Sequence, residues 1–338
     1  MPQSVASGSA ASRLSQQQIN EILHRVGLAD DLPRVEAEML DRINSSNQLL
    51  RDAGAYTVNA GGKRMRAMLV LLSARLASYD FDRAKHPAVA IELLHAASLV
   101  HDDLVDHANA RRGRATVHVT WDRDVALALG SYLFGVAARE LAYEPDERII
   151  GFYVHAARCM VEGELNPVTL VTPREAAEAQ YYRKIGYKTA VLFEAACRAG
   201  IAVAGGSPQA VAALGAFGYE LGLAFQIVDD ILDMTESETT LGKPAGNDLR
   251  EGTITLPLIL AHERDPRGIF ARVTEGAVPA QLVPQIITEI IAVGGIESAY
   301  LAANERITRG LAYLTPYTDE VTFDAFQTIA RHVVQRRQ

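Results

Sequence analysis

Residues 87–106 read PAVAIELLHAASLVHDDLVD, and two features of that stretch decide the fold. Apolar side chains recur at helical spacing along 87–101, which predicts a helix with its face in an apolar interior. The stretch then ends in three carboxylates, Asp102, Asp103 and Asp106. On a helix Asp102 and Asp106 are four apart and share a face, with Asp103 about 100° round from Asp102. The pattern returns at 226–233, QIVDDILD, where Asp229, Asp230 and Asp233 again follow an apolar run.

The same helical spacing runs through 207–234 and 280–293, while alternating, strand-like runs bounded by turns are hard to find. The expectation is therefore an all-α chain. Breaks at Gly61-Gly62, Pro167 to Pro173, Gly205-Gly206, Gly242 to Gly246 and Gly294-Gly295 are short and unlike flexible linkers. With no fixed-period repeat to suggest a solenoid, the expected organisation is a loose tail over 1–15 and a single helical domain over 16–338. A chain of 338 residues can bury a substantial core.

Composition narrows the function. A net charge of −8 argues against a nucleic-acid partner, because phosphate-backbone binding needs a basic surface. Cys159 and Cys197 are too few for a disulfide framework and too far apart for a metal-ligand spacing. No uncharged apolar run reaches the ~18 residues of a membrane helix, and the Ser- and Ala-rich first fifteen residues lack the basic start and apolar block of a signal. A cytoplasmic protein without stable membrane insertion is expected.

Like charges at helical spacing repel, and carboxylates following apolar runs are costly to bury without compensation. Magnesium suits such clusters, since it is held by one or two carboxylates together with substrate phosphates and keeps several waters. A diphosphate needs further cations, and the chain supplies them beside glycines: Gly61-Gly62-Lys63-Arg64-Met65-Arg66, Arg111-Arg112-Gly113-Arg114, and the 242–248 loop with Lys243. Lys188-Thr189 lies on a later helix. Of only five lysines, three (Lys63, Lys188 and Lys243) fall in these segments.

Taken together and in order, GGKRMR, HAASLVHDDLVD, ARRGRATVH, KT, FQIVDDILD and GKPAGNDLREG resemble the trans-prenyl diphosphate synthase, or polyprenyl synthetase, family over roughly residues 45–265. The resemblance implies the isoprenoid synthase fold, a bundle of about ten or more helices around a central cavity. It also implies a transferase that joins isopentenyl diphosphate to an allylic diphosphate, three Mg2+ ions per active site, and a homodimer. Lys63, Arg66, His95 and Arg112 would bind isopentenyl diphosphate. Arg111, Lys188, Thr189, Gln226 and Lys243 would hold the allylic diphosphate. Asp102, Asp106 and Asp229 would be the chief metal ligands, with Asp103, Asp230 and Asp233 completing the clusters through water or neighbouring contacts. His95, seven residues before Asp102, shares its helix face.

By the same resemblance, residues four and five before the first aspartate, Ser98 and Ala97, form the floor of the product pocket, with Leu94 a turn further down. No Phe, Tyr or Trp occurs between Pro87 and His101, about 20 Å of helix. The expected product is longer than twenty carbons, with six to ten isoprene units. An aromatic from another helix, such as Tyr132 or Phe134, would instead close the tunnel at twenty. The chain departs from the family pattern at Thr253, where a lysine is usual, at Ser131 for an aspartate and at Ala67 for a proline. Three rival readings are a non-catalytic partner subunit, opposed by six intact aspartates, a class I terpene cyclase, opposed by the GGKR cluster and the second complete aspartate motif, and a helical scaffold with no active site, which would leave six clustered carboxylates without purpose.

Overall fold

The computed structural model describes residues 17–170, 173–235, 245–264, 268, 270, 273 and 277–335. Lys243 and the 1–15 tail lie outside these residues. The described chain is helical almost throughout. Its helices are α1 (17–25), α2 (Asp31–Arg42), α3 (Gln48–Val58), α4 (Met65–Ala74), α5 (Phe81–Val105) and the short α6 (Val117–Thr120). They continue with α7 (Arg123–Leu141), α8 (Glu147–Glu164), α9 (Arg174–Ile185), α10 (Val191–Val203), α11 (Pro208–Thr235) and α12 (Asn247–Arg250). The last are α13 (Leu256–His262), α14 (Val283–Ala292), α15 (Gly295–Leu314) and α16 (Glu320–Val334). A hairpin of β1 (Ala110–Arg111) and β2 (Arg114–Ala115) follows α5.

Short polar side chains start the helices that carry the site. Asp80 accepts the Asp82 N–H at the head of α5, Asp122 that of Val125 before α7, and Asp146 that of Arg148 before α8. Each satisfies an amide that the first turn leaves without a partner. Amphipathic α7 and α8 lie outside α4, α5, α10 and α11, which supply much of the core. All ten residues of α4 are buried, α5 packs on α4, α7 and α10, and α11 packs on α10, α15 and α16. The α10–α11 contact is close because Gly218 has no side chain: a Cβ there would stand 2.5 Å from the Phe193 carbonyl oxygen.

α11 is long and apolar enough to cross a membrane, yet 67% of its most apolar window is buried inside the protein. That is the environment of a core helix. The arrangement brings the acidic ends of α5 and α11, 127 residues apart in sequence, to the same region of the molecule.

Candidate active site

Both aspartate clusters occupy helix C-terminal ends. Asp102 and Asp103 are in the last turn of α5 and Asp106 is its C-cap, while Asp229, Asp230 and Asp233 end α11. Carboxylates there face the negative pole of the helix dipole as well as one another, and neither last turn carries a basic residue. Two of these carboxylates have raised pKa values. Burial, with Glu164 and Asp106 nearby, pushes Asp102 up to about 6 against the opposing pull of Lys188 and Arg111. Burial pushes Asp230 up to about 7, helped by Asp229 and Asp233, although Tyr181 and Gln226 donate hydrogen bonds to it. The second residue of each motif is tied down. Asp103 Oδ1 accepts from Arg111 Nε at 2.8 Å, and Asp230 accepts from Tyr181 Oη at 2.6 Å and Gln226 Nε2 at 2.8 Å. Asp233 receives the Asp248 amide at 3.1 Å and so fixes the start of α12.

The basic clusters gather around a cavity of about 330 Å3. Lys63, Arg64, Arg66, Arg111, Arg112 and Arg114 line it with only two carboxylates, Glu92 and Asp103. The backbone is bent to present them. Gly61 and Gly62 take φ of 82° and 151°, and Arg64 caps α4 in the left-handed region at 46°. Arg112 and Gly113, at φ 53° and 72°, turn the β-hairpin. Left-handed Arg64 and Arg112 each store roughly 1–2 kcal/mol of backbone strain. Two contacts hold them: Arg64 reaches Glu36 at 2.8 Å, and Arg112 donates to the carbonyl of Gly61. Burial, then Arg64 and Arg111, lower the Arg112 pKa. Burial, then Arg66, Arg112, Arg111 and Arg64, hold His95 well below the usual imidazole range. His95 is therefore a neutral hydrogen-bonding group in a concentrated positive field, a cavity built for an anion. Ala96, Leu99, Val100 and Phe225 give it an apolar side.

A second cavity, of about 580 Å3, has the opposite character. Asp106, Glu164, Asp230, Asp248 and Glu251 line it against two lysines, Lys184 and Lys188. An anion could be held there only with added cations. Lys188 and Thr189 reach the cavity from a π-helical turn, Gly186–Ala190, between α9 and α10; such turns widen a helix locally and recur at functional sites. Gly163 of α8 makes room for that turn, since a Cβ there would meet Tyr187 Cβ at 2.8 Å and Lys188 N at 2.9 Å. Lys188 Nζ is 2.5 Å from Glu164 Oε2. Burial disfavours its charge, but Glu164, Asp102 and Asp106 outweigh burial and raise its pKa. Thr189 Oγ1 donates to Gln226 Oε1 at 2.7 Å, joining the π-turn to the Gln226–Asp230–Tyr181 network.

Lys63, Arg66, His95 and Arg112 thus share the cationic cavity, and Lys188, Thr189 and Gln226 the acidic one. Arg111, expected with the second group, lines the cationic cavity and is paired to Asp103. Ala97 and Leu94 are buried and line neither cavity; Ser98, partly exposed, bonds to the His95 carbonyl at 2.9 Å. Thr253 lines the acidic cavity, so the lysine usual there is missing from a wall already rich in carboxylates. Glu92, Glu164 and Tyr181 were not singled out from sequence, because no motif-like spacing marks them and only packing brings them in. Among the described residues no three His, Cys, Asp or Glu side chains form a ready metal cage. An ion held here would draw part of its shell from water or ligand.

A profile of the family described as "Polyprenyl synthetase" matches residues 47–284. The heptaprenyl diphosphate synthase component 2 of Geobacillus stearothermophilus is 38% identical over 85% of this chain and 90% of its own length. The octaprenyl diphosphate synthase of Escherichia coli (strain K12) is 32% identical over 95% and 98%. A polyprenyl synthase from Caulobacter crescentus CB15, solved with calcium and isoprenyl diphosphate, superposes with a TM-score of 0.87 at 31% identity, covering 95% of this chain and 98% of that one. With the profile covering most of the chain and these relatives matching nearly end to end, the chain belongs to the polyprenyl synthetase family and has its all-α isoprenoid synthase fold.

Proposed function

We propose that this chain condenses isopentenyl diphosphate with an allylic diphosphate and releases an all-trans polyprenyl diphosphate of about six to ten isoprene units. The observation that carries the reading is the pair of oppositely charged cavities at the end of α5. The cationic one suits a diphosphate bound by side chains alone, and the acidic one suits a diphosphate bound through metal. The donor set fits Mg2+: oxygen ligands only, raised carboxylate pKa values that a cation would relieve, and room for substrate oxygens. Asp102, Asp106 and Asp229 would hold the metal, three ions in all, which when bound would stabilise charge on the departing diphosphate.

The remaining roles belong to side chains. Lys63, Arg66, Arg112 and neutral His95 bind and orient isopentenyl diphosphate. Lys188, Thr189, Gln226 and Lys243 hold the allylic diphosphate, and Lys188 meets the negative charge that grows as its carbon–oxygen bond ionises. Leu99, Val100 and Phe225 keep water from the allylic cation while the isopentenyl double bond attacks it. A proton then leaves to the released diphosphate.

Two observations bear on alternatives. Phe134 of α7 stacks on His101 at 5.9 Å and Tyr132 packs partly buried against the core, which favours a twenty-carbon product if they obstruct the tunnel. The words "component 2" in the Geobacillus name favour a chain that works with a different subunit. Val154 and Val161 of α8, Leu165 just after it and Leu127 of α7 are exposed apolar side chains, which supports pairing of two copies in a cytoplasmic homodimer, each copy a single helical domain.

The test is incubation with labelled isopentenyl diphosphate, farnesyl diphosphate and MgCl2, followed by sizing of the dephosphorylated products. A ladder reaching thirty carbons or more, lost on chelation, is expected. A stop at twenty carbons would refute the long-chain assignment, and no product from farnesyl, geranyl or dimethylallyl diphosphate would refute the synthase reading for the chain on its own.

A further inference from the structure

One cation of this cavity, Lys63, meets a residue from the far end of the chain. Lys63 Nζ lies 2.6 Å from His332 Nε2, across 269 residues. The two groups have contrasting supports. Lys63 is exposed on the glycine-bent, non-helical stretch before α4, and its flexible stem gives it many rotamers. His332 is 6% exposed and rides the last turn of α16. That helix is locked in place by buried Phe326, Ile329, Ala330 and Val333, with Phe326 packed edge-on to Phe217 of α11 at 5.1 Å.

We propose that His332 is a positioning residue that holds Lys63 toward the cationic cavity for its diphosphate. The inference rests on the functional reading above and adds α16 to that site. An imidazole nitrogen that carries no proton can accept from an ammonium, so His332 can restrain Lys63 as a neutral hydrogen-bond partner. Glu164, by contrast, holds Lys188 with a negative charge. Ordering a rotamer-rich side chain before the ligand arrives removes a cost that binding would otherwise carry.

Steady-state kinetics on the full chain, with each substrate varied in turn, test this. His332→Phe keeps the ring volume and removes the acceptor, and is expected to raise KM for isopentenyl diphosphate roughly three- to tenfold. KM for the allylic diphosphate and kcat should change by less than about twofold. Titration calorimetry with isopentenyl diphosphate should show the same loss without turnover. His332→Gln, whose amide oxygen can reach the position of Nε2, should restore binding, whereas the shorter His332→Asn should not; this pair decides the matter even if the Phe variant folds poorly. In a Lys63→Met background His332→Asn should add nothing. The inference is overturned if KM for isopentenyl diphosphate is unchanged or lower in folded variants, if both substrates weaken equally, or if Gln and Asn behave alike. A wild-type chain that neither binds nor consumes isopentenyl diphosphate overturns the functional reading and this inference with it.

Discussion

Replacing Gly163 by alanine should disable the enzyme without unfolding it. Gly163 is buried in the last turn of α8, and the added methyl would stand 2.8 Å from Tyr187 Cβ and 2.9 Å from Lys188 N. Ordinary contact begins near 3.4 Å, so the two segments must part by about 0.6 Å (3.4 less 2.8). The neighbours are backbone and a Cβ, which cannot swing aside, and the π-turn is the irregular partner, so it should be the one to move. It carries Lys188 and Thr189 with it. Misplacement of a catalytic group by about 1 Å can cost around 100-fold, so a shift of this size should lower kcat by roughly 10- to 100-fold. Overpacking costs about 1–3 kcal/mol, offset by the roughly 0.5–1 kcal/mol that alanine gains over glycine in a helix, so Tm should fall by only a few degrees. The assay is metal-dependent incorporation of labelled isopentenyl diphosphate, read beside circular dichroism. Gly151→Ala is the control, since nothing lies within 4 Å of its Cβ site in the same helix. Wild-type kcat in a folded Gly163→Ala protein would refute the claim that the glycine exists to seat the π-turn.

Asp102→Asn should reduce kcat by about 10²- to 10³-fold, the scale of several kcal/mol of charge stabilisation, with helical content unchanged by circular dichroism; turnover within tenfold of wild type would remove Asp102 from the metal set. For pH, Asp102 at about 6 and Asp230 at about 7 both stand above the ordinary 3.8. The stability they contribute in metal-free protein is therefore full below pH ~4 and lost as pH rises through 6 and 7. MgCl2 with pyrophosphate should flatten that fall in a Tm-against-pH series, and an identical slope with and without them would contradict the electrostatic reading. At the product floor, Ser98→Phe should shorten the product chain more than Ala97→Phe, because Ser98 borders accessible space while Ala97 is fully enclosed; product sizing that shows the reverse order would place the tunnel on the Ala97 side.

Sequence made the fold, and the residues of the candidate site, legible for a specific reason. Helical periodicity is a local signal, and so is a carboxylate cluster closing an apolar run; each is complete within about ten residues. The aspartates on α5 and α11, the basic turns at 61–66 and 111–114, and the Lys188-Thr189 pair all announce themselves this way. Sorting them is a non-local problem. Arg111 and Arg112 are neighbours in sequence and both prove to line the cationic cavity, because the hairpin turn swings Arg112 onto Gly61 while Asp103 fixes Arg111. The family resemblance makes Ala97 a floor residue, and it is its neighbours Ala96 and Leu99 that line the cationic cavity.

The residues that escaped sequence reading share one property: their partners are remote. Glu164 meets Lys188 across 24 positions, Tyr181 meets Asp230 across 49, and Lys63 meets His332 across 269. No repeat or motif spacing flags Glu164, Tyr181 or His332, and the π-turn itself leaves no mark in hydrophobic periodicity. These remote contacts restrain groups already named by motif. A Lys63 on a glycine turn, or an Asp230 at a helix end, has the right chemistry and too much freedom; α16, α9 and α8 remove that freedom. The motif residues thus define which chemistry is available, and the packing of otherwise unremarkable helices determines where it can be carried out.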